Sequence, residues 1–147
     1  MRVVAIVVLV LWALTGGVGV FLLRAVIAAQ RAEGWPPPVS AAPDDRAPDA
    51  HPLLEFTHPA LGVVGLGFWF MFVLTHHYHR FAWIAVGVLA ATVVAGACWL
   101  AVNVRSRRRE GRAGSPGHVP LRLILLHGAA ALATAGLALA VTVTLGR

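Results

Sequence analysis

The sequence predicts an all-α, polytopic membrane protein: a bundle of four transmembrane helices with a Pro-rich polar loop between helices 1 and 2. Three observations predict it. Residues of the set AVILMFWYC make up 59% of the 147, with 15 Gly on top of that and only 12% charged residues. A soluble domain reaches roughly 45–50% apolar with Gly included and about 25% charged, and a chain this short could not hide the excess. The apolar residues also fall into four long runs, and the arginines lie between those runs. Such a composition excludes an ordinary soluble enzyme, a disordered chain and a secreted disulfide scaffold.

The first run, residues 3–23, carries no charge and matches the roughly 20 residues needed to cross about 30 Å of hydrocarbon. Arg2 before it resembles the start of a signal peptide, but the run exceeds the usual 7–15 apolar residues of one. A retained helix is expected. Residues 24–51 follow as a polar linker, with Trp35-Pro36-Pro37-Pro38 and the acidic Asp44, Asp45 and Asp49. Proline fixes φ and removes donors, so an extended segment is expected, with a polyproline docking site as a weaker reading.

The second run, 59–75, is short by itself and becomes long enough if its helix occupies about 53–76. Pro52 and Pro59 are both acceptable in a first helical turn. The third helix is expected over 81–104, with Trp83 and Trp99 near its two ends as interfacial anchors. Cys98 within it has no cysteine partner, which excludes an internal disulfide, a Cys-ligated iron–sulfur cluster and a covalently attached haem. The fourth helix, about 120–145, is rich in small residues, as is the stretch with Gly62, Gly65 and Gly67. Small residues let helices approach closely where no hydrophobic drive exists between them and lipid. Trp12 and Trp69 fall at mid-membrane depth and are expected in the core. The whole chain, 1–147, reads as one integral membrane domain.

Every basic residue is Arg. Arg2, Arg80 and Arg147 would lie on one side of the bilayer. Arg24, Arg31, Arg46, Arg105, Arg107, Arg108, Arg109, Arg112 and Arg122 would lie on the other. The positive-inside rule then puts loops 24–51 and 105–118 in the cytoplasm, both termini outside, and the protein in the plasma membrane. Arg107, Arg108 and Arg109 would also attract anionic lipid, at about 1 kcal/mol per residue. The arginines are not interleaved with aromatics on a polar face, so nucleic acid is not the expected partner.

Seven histidines are the informative exceptions to the apolar pattern. His76, His77 and His79 crowd a short turn on the expected outer side, where they form a weak candidate for Cu or Zn binding or for pH sensing. His118 sits in the Arg-rich loop. His58 and His127 lie within apolar runs, where ionisable groups are costly and a functional reading is the default. With helices starting near Pro52 and Val119, both lie roughly 10 Å deep at about 1.5 Å per residue. Helical steps from His58 lead to Gly62, Gly65 and Trp69, and from His127 to Ala131, Thr134 and Ala138. Each imidazole thus heads a stripe of small side chains. Two opposed neutral imidazoles beside a dry slot are what a b-type haem needs, with Gly62, Gly65, Ala131 and Thr134 lining it.

A second constellation shares His58. His51, Glu55 and His58 are spaced to lie on one helical face and form a candidate mononuclear Zn, Mn or Cu site. Glu55-Phe56-Thr57-His58 has the Glu-x-x-His form of di-iron bundles, but the chain holds a single copy. No hydrolytic triad or phosphate-binding motif occurs, so catalysis is not the expected role.

His58-Pro59-Ala60, the Gly-rich second helix with Trp69, Ala82-Trp83, Gly96 with Trp99, the Arg loop and His127-Gly128-Ala129 resemble a type of small four-helix membrane protein found in actinobacteria. That resemblance implies no activity. In helix number and intramembrane His placement the chain is more loosely similar to cytochrome b561-like electron carriers, which implies haem binding. Those carriers commonly bear further His pairs towards the other leaflet, and helix 4 here has none in its outer half. The sequence therefore supports a one-haem electron-transfer or redox-sensing protein. The alternatives are a cofactor-free accessory protein, acting with a membrane-protein partner or as a homo-oligomer, and a His/Glu metal-binding membrane protein.

Overall fold

The computed structural model describes residues 2–32, 52–75, 78–109 and 121–145. Four helices run in chain order: α1 (Arg2–Ala32), α2 (Pro52–Leu74), α3 (His79–Arg109) and α4 (Leu121–Leu145). No strand occurs among the described residues. Each helix contains a stretch long and apolar enough to cross a bilayer: Arg2–Ala25, Phe56–Leu74, His79–Ala101 and Arg122–Leu145. No more than 17% of any stretch is buried inside the bundle, and Leu14, Phe21, Val63, Val94, Leu126 and Leu132 point outwards. A soluble bundle turns its polar faces to water; this one is apolar inside and out. It is the architecture of a multi-pass membrane protein.

Two helices run further than the apolar pattern suggested. α1 continues past residue 23 to Ala32, and α3 past residue 104 to Arg109. Residues 24–32 hold mostly Ala, Arg, Gln and aliphatic side chains, good helix formers, and meet no Gly or Pro before Gly34. Residues 105–109 are a Ser among four arginines and stop short of Gly111. Helices end where their formers end, not where the hydrocarbon does. The rest of the expected linker, 33–51, lies outside the described residues, as does 110–120.

Packing sets the helix order around the bundle. α1 packs on α2 and α4, and α3 packs on α2 and α4, while neither α1 with α3 nor α2 with α4 makes backbone contact. The pairs α1/α3 and α2/α4 therefore stand on the two diagonals. The interior is filled mainly in one half, the half holding the starts of α1 and α3 and the ends of α2 and α4. There Ala5, Val8, Trp12, Trp69, Phe72, Ala82, Ala85, Leu89, Ala138 and Val141 form the core. Trp69 is fully buried, and its indole N–H donates to the Ala5 carbonyl at 3.0 Å. Its ring lies 5.0 Å from that of Phe72 and 6.5 Å from that of Trp12. Trp12 and Trp69 lie in the core as expected, and Trp83 is half exposed near the start of α3.

Threonine hydroxyls in these helices are satisfied locally. The hydroxyls of Thr15, Thr92, Thr134, Thr142 and Thr144 each donate to the carbonyl four residues back, at 2.8 Å. With no water available, this is the cheapest way to carry a hydroxyl in lipid.

Gly65 makes room for Trp12. A Cβ at Gly65 would lie 2.7 Å from one carbon of the indole and 3.0 Å from another. Gly65→Ala is expected to cost about 1–3 kcal/mol through overpacking, read as a lower unfolding temperature in detergent. Gly67→Ala, with nothing within 4 Å of the added carbon, should show no loss and gain up to about 1 kcal/mol of helix propensity.

Candidate functional site

In the other half of the bundle the interior is of a different kind. None of the described residues in 13–25, 56–64, 93–101 or 122–133 is buried outright. The side chains facing inwards there are only part-buried, and His58 and His127 are among them.

The two histidines reach this level from the two ends of one diagonal. α2 starts at Pro52 and α4 at Leu121, so each imidazole stands about 9 Å into its helix at roughly 1.5 Å per residue. The expectation of matching depth within the bundle is met. The ring centroids are 6.1 Å apart and the ring planes stand at 81°.

Each imidazole rests against a glycine of a neighbouring helix. A Cβ at Gly96 of α3 would lie 2.8 Å from Cε1 and 3.0 Å from Nδ1 of His58. A Cβ at Gly19 of α1 would lie 3.1 Å from Cε1 of His127. At Gly96 a methyl group would clash with the ring as it stands, and at Gly19 the ring would have to give by a few tenths of an ångström. One turn before Gly96, the Thr92 carbonyl accepts a hydrogen bond from His58 Nδ1 at 2.8 Å. The partner is a carbonyl, so Nδ1 carries the proton and Nε2 is left as the lone-pair nitrogen. One turn before Gly19, the main chain of Thr15 lies beside the His127 ring, while His127 Nδ1 is buried and makes no hydrogen bond.

The small residues expected to line a slot have mixed positions. Gly62 faces the Thr92 methyl group at 3.8 Å, and Gly65 is occupied by Trp12 as described above. Ala131 is part-buried, and the buried Thr134 turns its hydroxyl back to the Ala130 carbonyl. The glycines in contact with the imidazoles are Gly19 and Gly96, on the helices that carry no histidine of the pair. Helical steps along α2 and α4 could not find them, because their role lies across the helix interface.

Of the other candidates, His51, His76, His77, His118 and the side chains of Glu55, Arg107, Arg108 and Arg109 lie outside the described residues. His79 begins α3, with its Nδ1 buried and without a hydrogen bond. Among the described residues no group of three or more His, Cys, Asp or Glu is placed to hold a metal ion. Cys98 is a free, exposed thiol. Comparison with known proteins gave no match to a family model, to a curated protein or to a solved structure.

Two rings this close share an environment, so their removal should not be independent. His58→Ala and His127→Ala, singly and together, are expected to give a coupling energy of about 0.5–3 kcal/mol in detergent unfolding. Strict additivity would mean that the rings do not meet.

Proposed function

We propose that the protein holds one b-type haem between His58 and His127 and serves in electron transfer or redox sensing. The observation that carries this reading is the imidazole pair itself: two rings from opposite corners of the bundle, at one level, 6.1 Å apart. Three features of the surroundings fit a haem. Two protein nitrogens are the number a porphyrin iron needs, because the porphyrin brings four of its own, whereas structural zinc takes four protein ligands and catalytic zinc three. Each ring rests on a glycine, where an added Cβ would clash with His58 at Gly96 and crowd His127 at Gly19. His58 donates its Nδ1 proton to a backbone carbonyl, the outer-shell bond that ligating histidines commonly make to fix tautomer and ring orientation.

When bound, the haem would supply one-electron chemistry, with a potential set by its axial ligands and the polarity around them. The chain's own contribution is to bind through His58 and His127, to hold the proton on Nδ1 of His58, and to keep the site within apolar helices. The opposite half of the interior is closed by Trp12, Trp69 and Phe72, which favours one haem over two.

In this reading the Arg-rich loop 105–118 and the loop 24–51 face the cytoplasm of the plasma membrane, and the haem sits towards that leaflet, near Arg107, Arg108, Arg109 and the anionic lipid they attract. In a Cys98→Ser background, Ser115→Cys should react with an impermeant maleimide only after cells are opened. Labelling in intact cells would reverse the orientation.

Purification in mild detergent after expression with haem supplied is expected to give a reduced-minus-oxidised b-type spectrum that is lost in both His58→Ala and His127→Ala. A colourless wild-type protein would sink the haem reading.

A further inference from the structure

The two halves of the chain repeat one another. A single constant shift in residue number carries α1, Arg2–Ala32, onto α3, His79–Arg109, start on start and end on end. A second constant shift carries the start of α2, Pro52, onto the start of α4, Leu121. The two shifts differ because the loop between α1 and α2 is longer than the loop between α3 and α4.

Burial follows the same shifts. Ala5, Val8 and Trp12 fall on Ala82, Ala85 and Leu89, and Trp69 and Phe72 fall on Ala138 and Val141, all of them core positions. So do identities. Thr15 and Gly19 fall on Thr92 and Gly96, and His58, Ala60 and Gly67 fall on His127, Ala129 and Gly136. Helices alone would not give this: residues that match in type match in distance from the helix start, and all but Thr15 and Thr92, part-buried and buried, also match in burial. The equivalent helices occupy the two ends of a diagonal, which is where a twofold axis along the bundle would place them.

The contacts at the site run between repeats. His58, of the first repeat, is seated on Thr92 and Gly96 of the second. His127, of the second, is seated on Gly19 of the first, beside the main chain of Thr15. We infer that the chain is a tandem duplication with two crossed, equivalent half-sites, in which the Thr15 carbonyl is the positioning partner of His127 Nδ1 as the Thr92 carbonyl is of His58 Nδ1. His127 Nδ1 is buried and makes no hydrogen bond in the structure, so it is a nitrogen in need of the partner that this pairing supplies. Both rings then present Nε2, and the site offers a ligand two like nitrogens on opposite sides. A planar metal complex with two equivalent axial positions is the chemical class that uses both. The inference rests on taking the imidazole pair as the functional site, and deepens the haem reading by naming the residues that orient its ligands.

The test is made on the full chain. With ¹⁵N-labelled histidine, in micelles without added haem and at about pH 8, well above the ordinary imidazole pKa of ~6.5, NMR reports which ring nitrogen holds the proton. His58→Asn and His127→Asn assign the signals. Nδ1–H is expected for both rings in the wild type. Gly96→Ala should shift the His58 signals and Gly19→Ala those of His127. An Nε2–H tautomer at His127, or a Gly19→Ala variant that folds and leaves the His127 signals in place, overturns the equivalence. Haem titration of the same sample separates this from the preceding proposal. Nδ1–H tautomers without haem binding retain the crossed half-sites and reject the haem. If haem binds, each glycine variant should weaken it by about 10- to 100-fold, and a loss confined to one of them overturns the inference.

Discussion

The site depends on one contact: an imidazole N–H reaching a backbone carbonyl through the gap left by a glycine. In a bilayer an unsatisfied donor costs several kcal/mol, and the His58 ring finds its acceptor on the neighbouring helix. The Thr92 carbonyl of α3 accepts a second bond from His58 Nδ1, using the second lone pair that every carbonyl has. The ring can approach only where Gly96 lacks a Cβ. The threonine matters here for its carbonyl, since its own hydroxyl is turned back to Val88. Proton position, ring orientation and helix separation are thereby fixed by a single contact between α2 and α3.

The division of the bundle into a filled half and an opened half follows from side-chain volume. Around Trp12, Trp69 and Phe72 the aromatic rings meet across the axis, and small partners such as Ala5, Ala82, Ala85 and Gly65 let them do so. At the level of His58 and His127 the interior holds imidazoles, Gly and Ala, and of the residues beside the rings Thr15, Gly19 and Gly96 are part-buried while Thr92 is buried. Close packing is thus concentrated at one end of the bundle axis.

Much of this was legible in the sequence. Apolar runs and arginine spacing specify four helices, since length and polarity in a bilayer leave few alternatives. His58 and His127 stood out as exceptions within those runs, and their matching depth followed from helix starts. The seats of the imidazoles did not stand out. Gly19 sits in a run with Gly16 and Gly17, and Gly96 between alanines, so neither differs locally from a residue that merely permits close packing. Their role depends on which helices are neighbours, and that is fixed by the packing of whole helices. The repeat was hidden for a related reason: few identities survive, and unequal loops break the register between the halves. α1 and α3 continue past the apolar runs because apolarity marks the hydrocarbon, while helix formers extend beyond it.

Those two long helices carry a mechanical consequence. Beyond the glycines, residues 19–32 and 96–109 give α1 and α3 about 20 Å of continuous helix at roughly 1.5 Å per residue, more than twice the length by which α2 and α4 precede their histidines. Both extensions leave the bundle at the same end and from opposite corners. Each is one rigid rod with the glycine on which an imidazole leans. Turning or tilting either rod from its projecting end must carry that glycine with it. The imidazole pair, though set among apolar helices, is thus joined by levers to the projecting ends of α1 and α3.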